Sequence, residues 1–138
     1  MDKMDLPKPL PTPSPDSRPF WEAAQRHQLQ LQRCRDCDVL IYYPRHVCPQ
    51  CLGSNLEWRE MSGKGTVYSF TVVRRTNNRA FLNDLPYVLA IVELAEGPRL
   101  TTNVVGCPPE AVRCGMPVEV SFDDVTPNVT LVKFRPAN

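Results

Sequence analysis

From Gly63 onward the apolar positions follow the two-residue period of β-strands. Residues 65–75, Gly-Thr-Val-Tyr-Ser-Phe-Thr-Val-Val-Arg-Arg, are rich in β-branched and aromatic side chains and predict a long first strand. Pro86–Leu94 predicts a second and Arg99–Val105 a third, with Gly97-Pro98 as the hairpin turn between them. Pro117–Phe122 and Asn128–Phe134 give a fourth and a fifth. Pro108–Gly115 reads as one or two helical turns closed by glycine. Five strands with a short helix between the third and fourth is the element order of an OB-fold, and about 75 residues suit that barrel. A fragment of a five-stranded sandwich is the alternative.

Upstream the pattern is shorter and more broken. Ser17 is a candidate helix N-cap, Pro19 falls early in the helix, and Glu22 suits the positive end of the helix dipole. Phe20, Trp21, Ala23, Ala24 and His27 form one aromatic-rich face of a helix that stops near Gln28. Leu29–Arg33 alternates as a strand, and Leu56–Trp58 does so again after a turn at Leu52–Asn55. Residues 1–16 hold Pro7, Pro9, Pro11, Pro13 and Pro15, which favour an extended tail, either free or laid along a partner. The predicted chain is mainly β: a proline-rich tail over 1–16, a helix and ribbon over 17–60, and a barrel over 61–138.

The two short strands bracket Arg33–Cys51, which holds four of the six cysteines as Cys34-x2-Cys37-x10-Cys48-x2-Cys51. Such a set makes a redox centre, two disulfides or a metal site. The N-terminus has no apolar signal core, and no apolar run approaches ~18 residues, so a cytoplasmic protein with no membrane partner is expected. Cytoplasmic thiols stay reduced, which weighs against disulfides. A redox pair needs a thioredoxin-like βαβ setting, which the pattern does not provide. Two chelating pairs brought face to face suit tetrahedral zinc, with iron as a chemically close substitute. His46 is the nearby alternative ligand. With four cysteines no coordination position is open to water, so the metal is expected to hold the segment's fold. A ribbon this small has too little core to stand alone, and zinc binding of order ~10 kcal/mol makes up the difference. Cys107 and Cys114 fall in the predicted barrel and read as small buried residues.

Net charge is +1 but unevenly spread. Residues 1–79 carry twelve Lys and Arg against eight Asp and Glu; residues 80–138 carry four against seven. Lys64, Arg74, Arg75 and Arg79 are therefore either solvated surface or a local anion site. No catalytic triad, phosphate-binding glycine loop or zinc-protease motif is present, and no catalytic residue is assigned. Asp123 and Asp124 are adjacent on a strand and should point opposite ways. An OB barrel can also bind single-stranded nucleic acid, with Tyr68, Phe70, Arg74, Arg75 and Arg79 as candidate contacts. Tyr68 and Phe70, two apart, should share one face, which is either that groove or the core. The near-neutral charge and acidic C-terminal half count against a polyanion partner.

The order of parts resembles a known family. The matching residues are Pro19-Phe-Trp21, Leu31-Gln-Arg-Cys34 with Cys37, Cys48-Pro49 with Cys51, Gly65–Val73, Pro86–Leu94 and Gly115-Met-Pro-Val118. Family members have an N-terminal helix, a rubredoxin-like zinc ribbon and an OB-fold, and accompany thiolase-like enzymes. The resemblance implies a non-catalytic accessory subunit in a hetero-oligomer with a thiolase, acyltransferase or lipid-transfer-type aldolase acting on acyl-CoA. It implies structural zinc on Cys34, Cys37, Cys48 and Cys51. It also implies that the barrel shapes a path for CoA near the interface while the partner supplies the nucleophile. Mapped on this chain, Arg74, Arg75 and Arg79 would meet CoA phosphates. Phe81 and Tyr87 would line the apolar arm, and Phe20 and Trp21 would dock on the partner.

Overall fold

The computed structural model describes residues 8–137. The first part of the predicted tail, residues 1–7, lies outside the described residues. Helix α1 spans Arg18–Gln25. It is followed by β1 (Gln30–Cys34), β2 (Leu40–Ile41) and β3 (Leu56–Glu60). Then come β4 (Lys64–Val73), β5 (Tyr87–Leu94), β6 (Arg99–Val104), β7 (Pro117–Thr126) and β8 (Val129–Pro136).

The first three strands form a small antiparallel sheet in the order β2-β1-β3. The other five close a barrel in the order β4-β5-β6-β8-β7, with β6 and β8 parallel and the remaining pairs antiparallel. That is the OB-fold expected from the strand pattern. Val67, Val88, Val92, Leu100, Val118 and Phe134 fill the barrel, each almost wholly buried. Phe20 from α1 and Leu29 and Leu31 beside and within β1 join the same core, so helix and first ribbon strand pack onto the barrel.

Helix α1 is shorter than expected. It ends at Gln25, and His27 takes a left-handed φ of 61°. The N–H of His27 donates to the carbonyl of Ala24 and that of Gln28 to the carbonyl of Ala23, the paired bonds of a Schellman closure. His27 therefore leaves the helix face, and its ring stacks on Phe122 of β7 instead, 5.1 Å between centroids. Ser17 takes the N-cap position without capping through its side chain; it is buried, and its hydroxyl accepts from the N–H of Ser14.

Pro108–Gly115 forms only a 3₁₀ turn at Pro109–Ala111, after which Val112 is extended. Val112 leaves the turn in this conformation and enters the barrel core, where it is 6% exposed, so the helix does not continue. Cys114 consequently sits exposed in the turn before β7, and Cys107 is half-buried, which corrects the expectation that both are core residues. A second difference lies in β4. A β-bulge sets Val67 and Tyr68 opposite the single residue Val92. The extra residue shifts the inside–outside phase, so Tyr68 is exposed while Phe70 packs against the core. The two do not share a face.

Candidate metal centre and outer groove

Two knuckles present the four cysteines, and they are built alike. The N–H of Asp38 donates to the carbonyl of Cys34, and the N–H of Leu52 donates to that of Cys48, both at 2.8 Å. One residue later the direction reverses: Cys34 donates to the Val39 carbonyl and Cys48 to the Gly53 carbonyl. Asp38 and Leu52 turn each chain back with left-handed φ values of 67° and 63°. No glycine marks either position, so the sequence shows the cysteine spacing but not this shared turn.

The four Sγ atoms lie within 4.8 Å of one another. Cys34 and Cys51 are 3.6 Å apart at sulfur, and Cys37 and Cys48 are 3.5 Å apart. Tetrahedral zinc with bonds of about 2.3 Å sets its sulfurs roughly 3.8 Å apart, so the set fits a four-thiolate ion. The N–H of Cys51 lowers the Cys48 thiol against the opposing pull of burial, and the N–H of Gln50 adds to it, bringing it to about 7. That thiol is predisposed to the thiolate a metal needs. His46 is exposed and faces Asp16, so it is not part of the cluster. Around the centre, Arg33 and Arg35 both bond Glu57 across β1 and β3, and they hold its carboxyl below the ordinary value of 4.5.

A second feature lies on the outer face of the barrel. A groove of about 570 Å³ runs over β5, β6 and β8. Its floor is made by Leu89, Val105 and Leu131, and one wall by Phe81, with Tyr87 beside it. Phe81 sits in a 3₁₀ helix over Arg79–Asp84 that strand periodicity does not reveal; the side chain of Asn78 caps it by accepting from the N–H of Ala80. Lys8, from the described end of the tail, bonds Asp84 at 2.6 Å and lies over the Phe81 ring. That part of the tail therefore rests on the chain's own barrel.

The expected site residues divide. The four cysteines come together, and Phe81 and Tyr87 line one groove. Arg74, Arg75 and Arg79 are exposed on the loop after β4 and are not among the groove's lining residues. Phe20, expected on a docking face, is 3% exposed and belongs to the chain's own core. Trp21 stays half-buried at the surface, where its Nε1 donates to the Tyr43 hydroxyl. Tyr68 is covered on one side by the Arg99 guanidinium at 3.7 Å from its centroid. With Phe70 turned inward, the aromatic pair proposed for base stacking does not form a platform. Among the described residues no helix is long and apolar enough to cross a membrane.

Residues 21–57 match the family described as the ChsH2 rubredoxin-like zinc-ribbon domain, and residues 58–123 match the ChsH2 C-terminal OB-fold domain. A protein of Thermomonospora curvata named a probable enoyl-CoA hydratase alpha subunit is 40% identical over 130 residues, 94% of this chain but 40% of the relative. The chain thus spans well under half the length of that protein. A DUF35 domain-containing scaffold protein of Methanocaldococcus jannaschii is 40% identical over 76% of this chain and 74% of its own length. A solved chain described as an Ltp2-ChsH2 (DUF35) aldolase superposes with a TM-score of 0.84 at 40% identity, covering 93% of this chain and 99% of that one.

Proposed function

The chain belongs to the ChsH2 family of zinc-ribbon and OB-fold proteins, and on that premise we propose that it is a non-catalytic accessory subunit of a cytoplasmic enzyme complex acting on acyl-CoA. The partner carries out aldolase, thiolase or acyl-transfer chemistry and supplies the reacting groups. This chain stabilises it and completes the path for CoA and the acyl group. The observation that carries the reading is the agreement in fold and extent with the solved chain described as an Ltp2-ChsH2 aldolase. The scaffold name given to the Methanocaldococcus relative supports it further.

Zinc is the metal, held by Cys34, Cys37, Cys48 and Cys51, with iron as the substitute. Four thiolates fill a tetrahedral ion, so it serves the fold and leaves no position for substrate. Trp21 and Tyr43, half-buried and exposed beside each other, are the aromatic pair presented to the partner. Arg74, Arg75 and Arg79, exposed on the segment after β4, would meet phosphates of CoA. The test is turnover of acyl-CoA by the zinc-loaded chain alone, by the partner alone and by the two together. The expected result is activity in the mixture and none in the isolated chain. Turnover by the isolated chain would overturn the accessory reading.

A further inference from the structure

A barrel loses its edges only where each strand is paired on both sides. In β4 that holds for the first part alone. Lys64, Gly65 and Thr66 pair with β7, and Val67 exchanges backbone bonds with Gly115 and Met116 just before that strand. From Tyr68 to Val73 the strand partner of β4 is β5 and no other among the described residues. No other backbone bond reaches this stretch among the described residues, so its far side is an open edge.

Open edges recruit further strands unless charge, proline or shortness guards them. The ribbon's edges are guarded. Its β2 is only Leu40–Ile41, and β3 carries Glu57, Arg59 and Glu60. The edge of β4 has none of these devices. Gly65 to Val73 contains no charged residue and no proline, and β-branched and aromatic residues dominate it. Tyr68, Ser69 and Thr71 on it are exposed.

The sequence of this edge fits a copy of itself. Phe70 and Val72 pack toward the barrel core, while Ser69 and Thr71 face out. Residues opposite each other in an antiparallel pair share a face, so a two-fold axis must pass through a residue and not between two. An axis at Thr71 uses only the open stretch. It sets Thr71 against Thr71, Phe70 against Val72 and Ser69 against Val73. Thr–Thr and aromatic–β-branched pairs are among the favourable cross-strand contacts. Charge selects the same direction. Parallel pairing in register would stack Arg74 on Arg74 and Lys64 on Lys64. The antiparallel pair holds the two Arg74 residues about 20 Å apart, at roughly 3.4 Å per residue. That exceeds the screening length of about 8 Å. The contact is isologous and closes at two copies.

We propose that the Tyr68–Val73 edge of β4 is a dimerisation strand, joined antiparallel to the same strand of a second copy of this chain about a two-fold axis at Thr71. The pairing does not depend on the acyl-CoA reading.

The test is sedimentation of the full zinc-loaded chain from micromolar to millimolar concentration, with hydrogen exchange at both ends of the range. The expected result is twice the mass of one chain, with amides of residues 68–73 gaining protection as the dimer forms. Thr71→Lys brings two like charges face to face at the axis and should weaken association at least tenfold. Thr71→Glu should do the same. An equimolar mixture of the two variants should dimerise again, because unlike charges then meet. Thr101→Lys, exposed on β6 away from the edge, is the control and should dimerise like the parent. Melting curves confirm that each variant is folded. A chain that stays monomeric throughout would overturn the proposal. So would a dimer that Thr71→Lys leaves intact, or a Lys and Glu mixture that stays apart. A monomer whose Thr71→Lys variant loses the partner enzyme gives the edge to that enzyme and also overturns self-pairing.

Discussion

The ribbon and the barrel sit in one chain but are held by different forces. The barrel buries a continuous apolar core, with Val67, Val88, Val92, Leu100, Val118 and Phe134, drawn from all five strands, wholly enclosed. The satellite cluster of the ribbon has three buried members, Cys34, Ile41 and Cys48, and two of these are metal ligands. Remove the apolar packing and the barrel fails; remove the ion and the ribbon has almost nothing left to bury. The helix is the joint between them. Phe20 enters the barrel core, while His27 and the Gln25 amide reach across to β7 and the turn before β8.

The largest effect that separates the two regions is loss of the metal. Cys48→Ser, or a strong chelator, removes a term of order ~10 kcal/mol from the ribbon. Hydrogen exchange should show protection lost over residues 34–56 and kept in β4 to β8, and the variant should no longer bind its partner. A metal-free complex that stays assembled and active would break the comparison.

The converse change strikes the barrel and spares the ribbon. A Cβ on Gly65 would lie 2.5 Å from the Glu93 carbonyl oxygen and 3.0 Å from a Val92 methyl, and a backbone carbonyl in a paired strand has nowhere to move. Gly65→Ala should cost roughly 2 kcal/mol, read by denaturant unfolding. Zinc content should stay at that of the parent chain. Loss of zinc in this variant would mean that ribbon and barrel fold as one unit.

The smallest effect belongs to the joint. Asp124 accepts from the Thr130 hydroxyl at 2.6 Å and faces His27 Nε2 at 2.9 Å, and both interactions lower its carboxyl below 3.8. A carboxyl lowered on folding stabilises the native state above its ordinary range and stops doing so as pH falls through the lower folded value. Between about pH 5 and pH 2 the parent chain should therefore lose melting temperature faster than Asp124→Asn. Both groups are largely exposed, so the difference is expected to be small and to shrink with salt. Parallel curves for parent and variant would show that the pair contributes nothing to the joint.

The strands of the barrel were legible because β5 and β6 alternate strictly between inside and outside and the others are rich in β-branched and aromatic residues, and their order is that of an OB-fold. The cysteine cluster was legible from spacing, since only two chelating pairs on facing turns can bring four sulfurs together. What stayed hidden was set by long-range packing. The bulge at Tyr68 adds one residue against Val92, and nothing in the local composition marks it. The early end of α1 depends on His27 finding Phe122 and Asp124 almost a hundred positions away. Phe20 read as a docking residue because an aromatic helix face looks the same whether its cover is a partner or the chain's own barrel.

The central claim is that this chain works as part of another enzyme. The most direct measurement is a tagged pull-down at low salt with nuclease treatment, followed by mass spectrometry of what remains bound. A stoichiometric acyl-CoA enzyme of the aldolase, thiolase or acyltransferase kind, retained after nuclease, is the expected result. Release of every partner by the nuclease would contradict it and move the function to nucleic acid and to Arg74, Arg75 and Arg79.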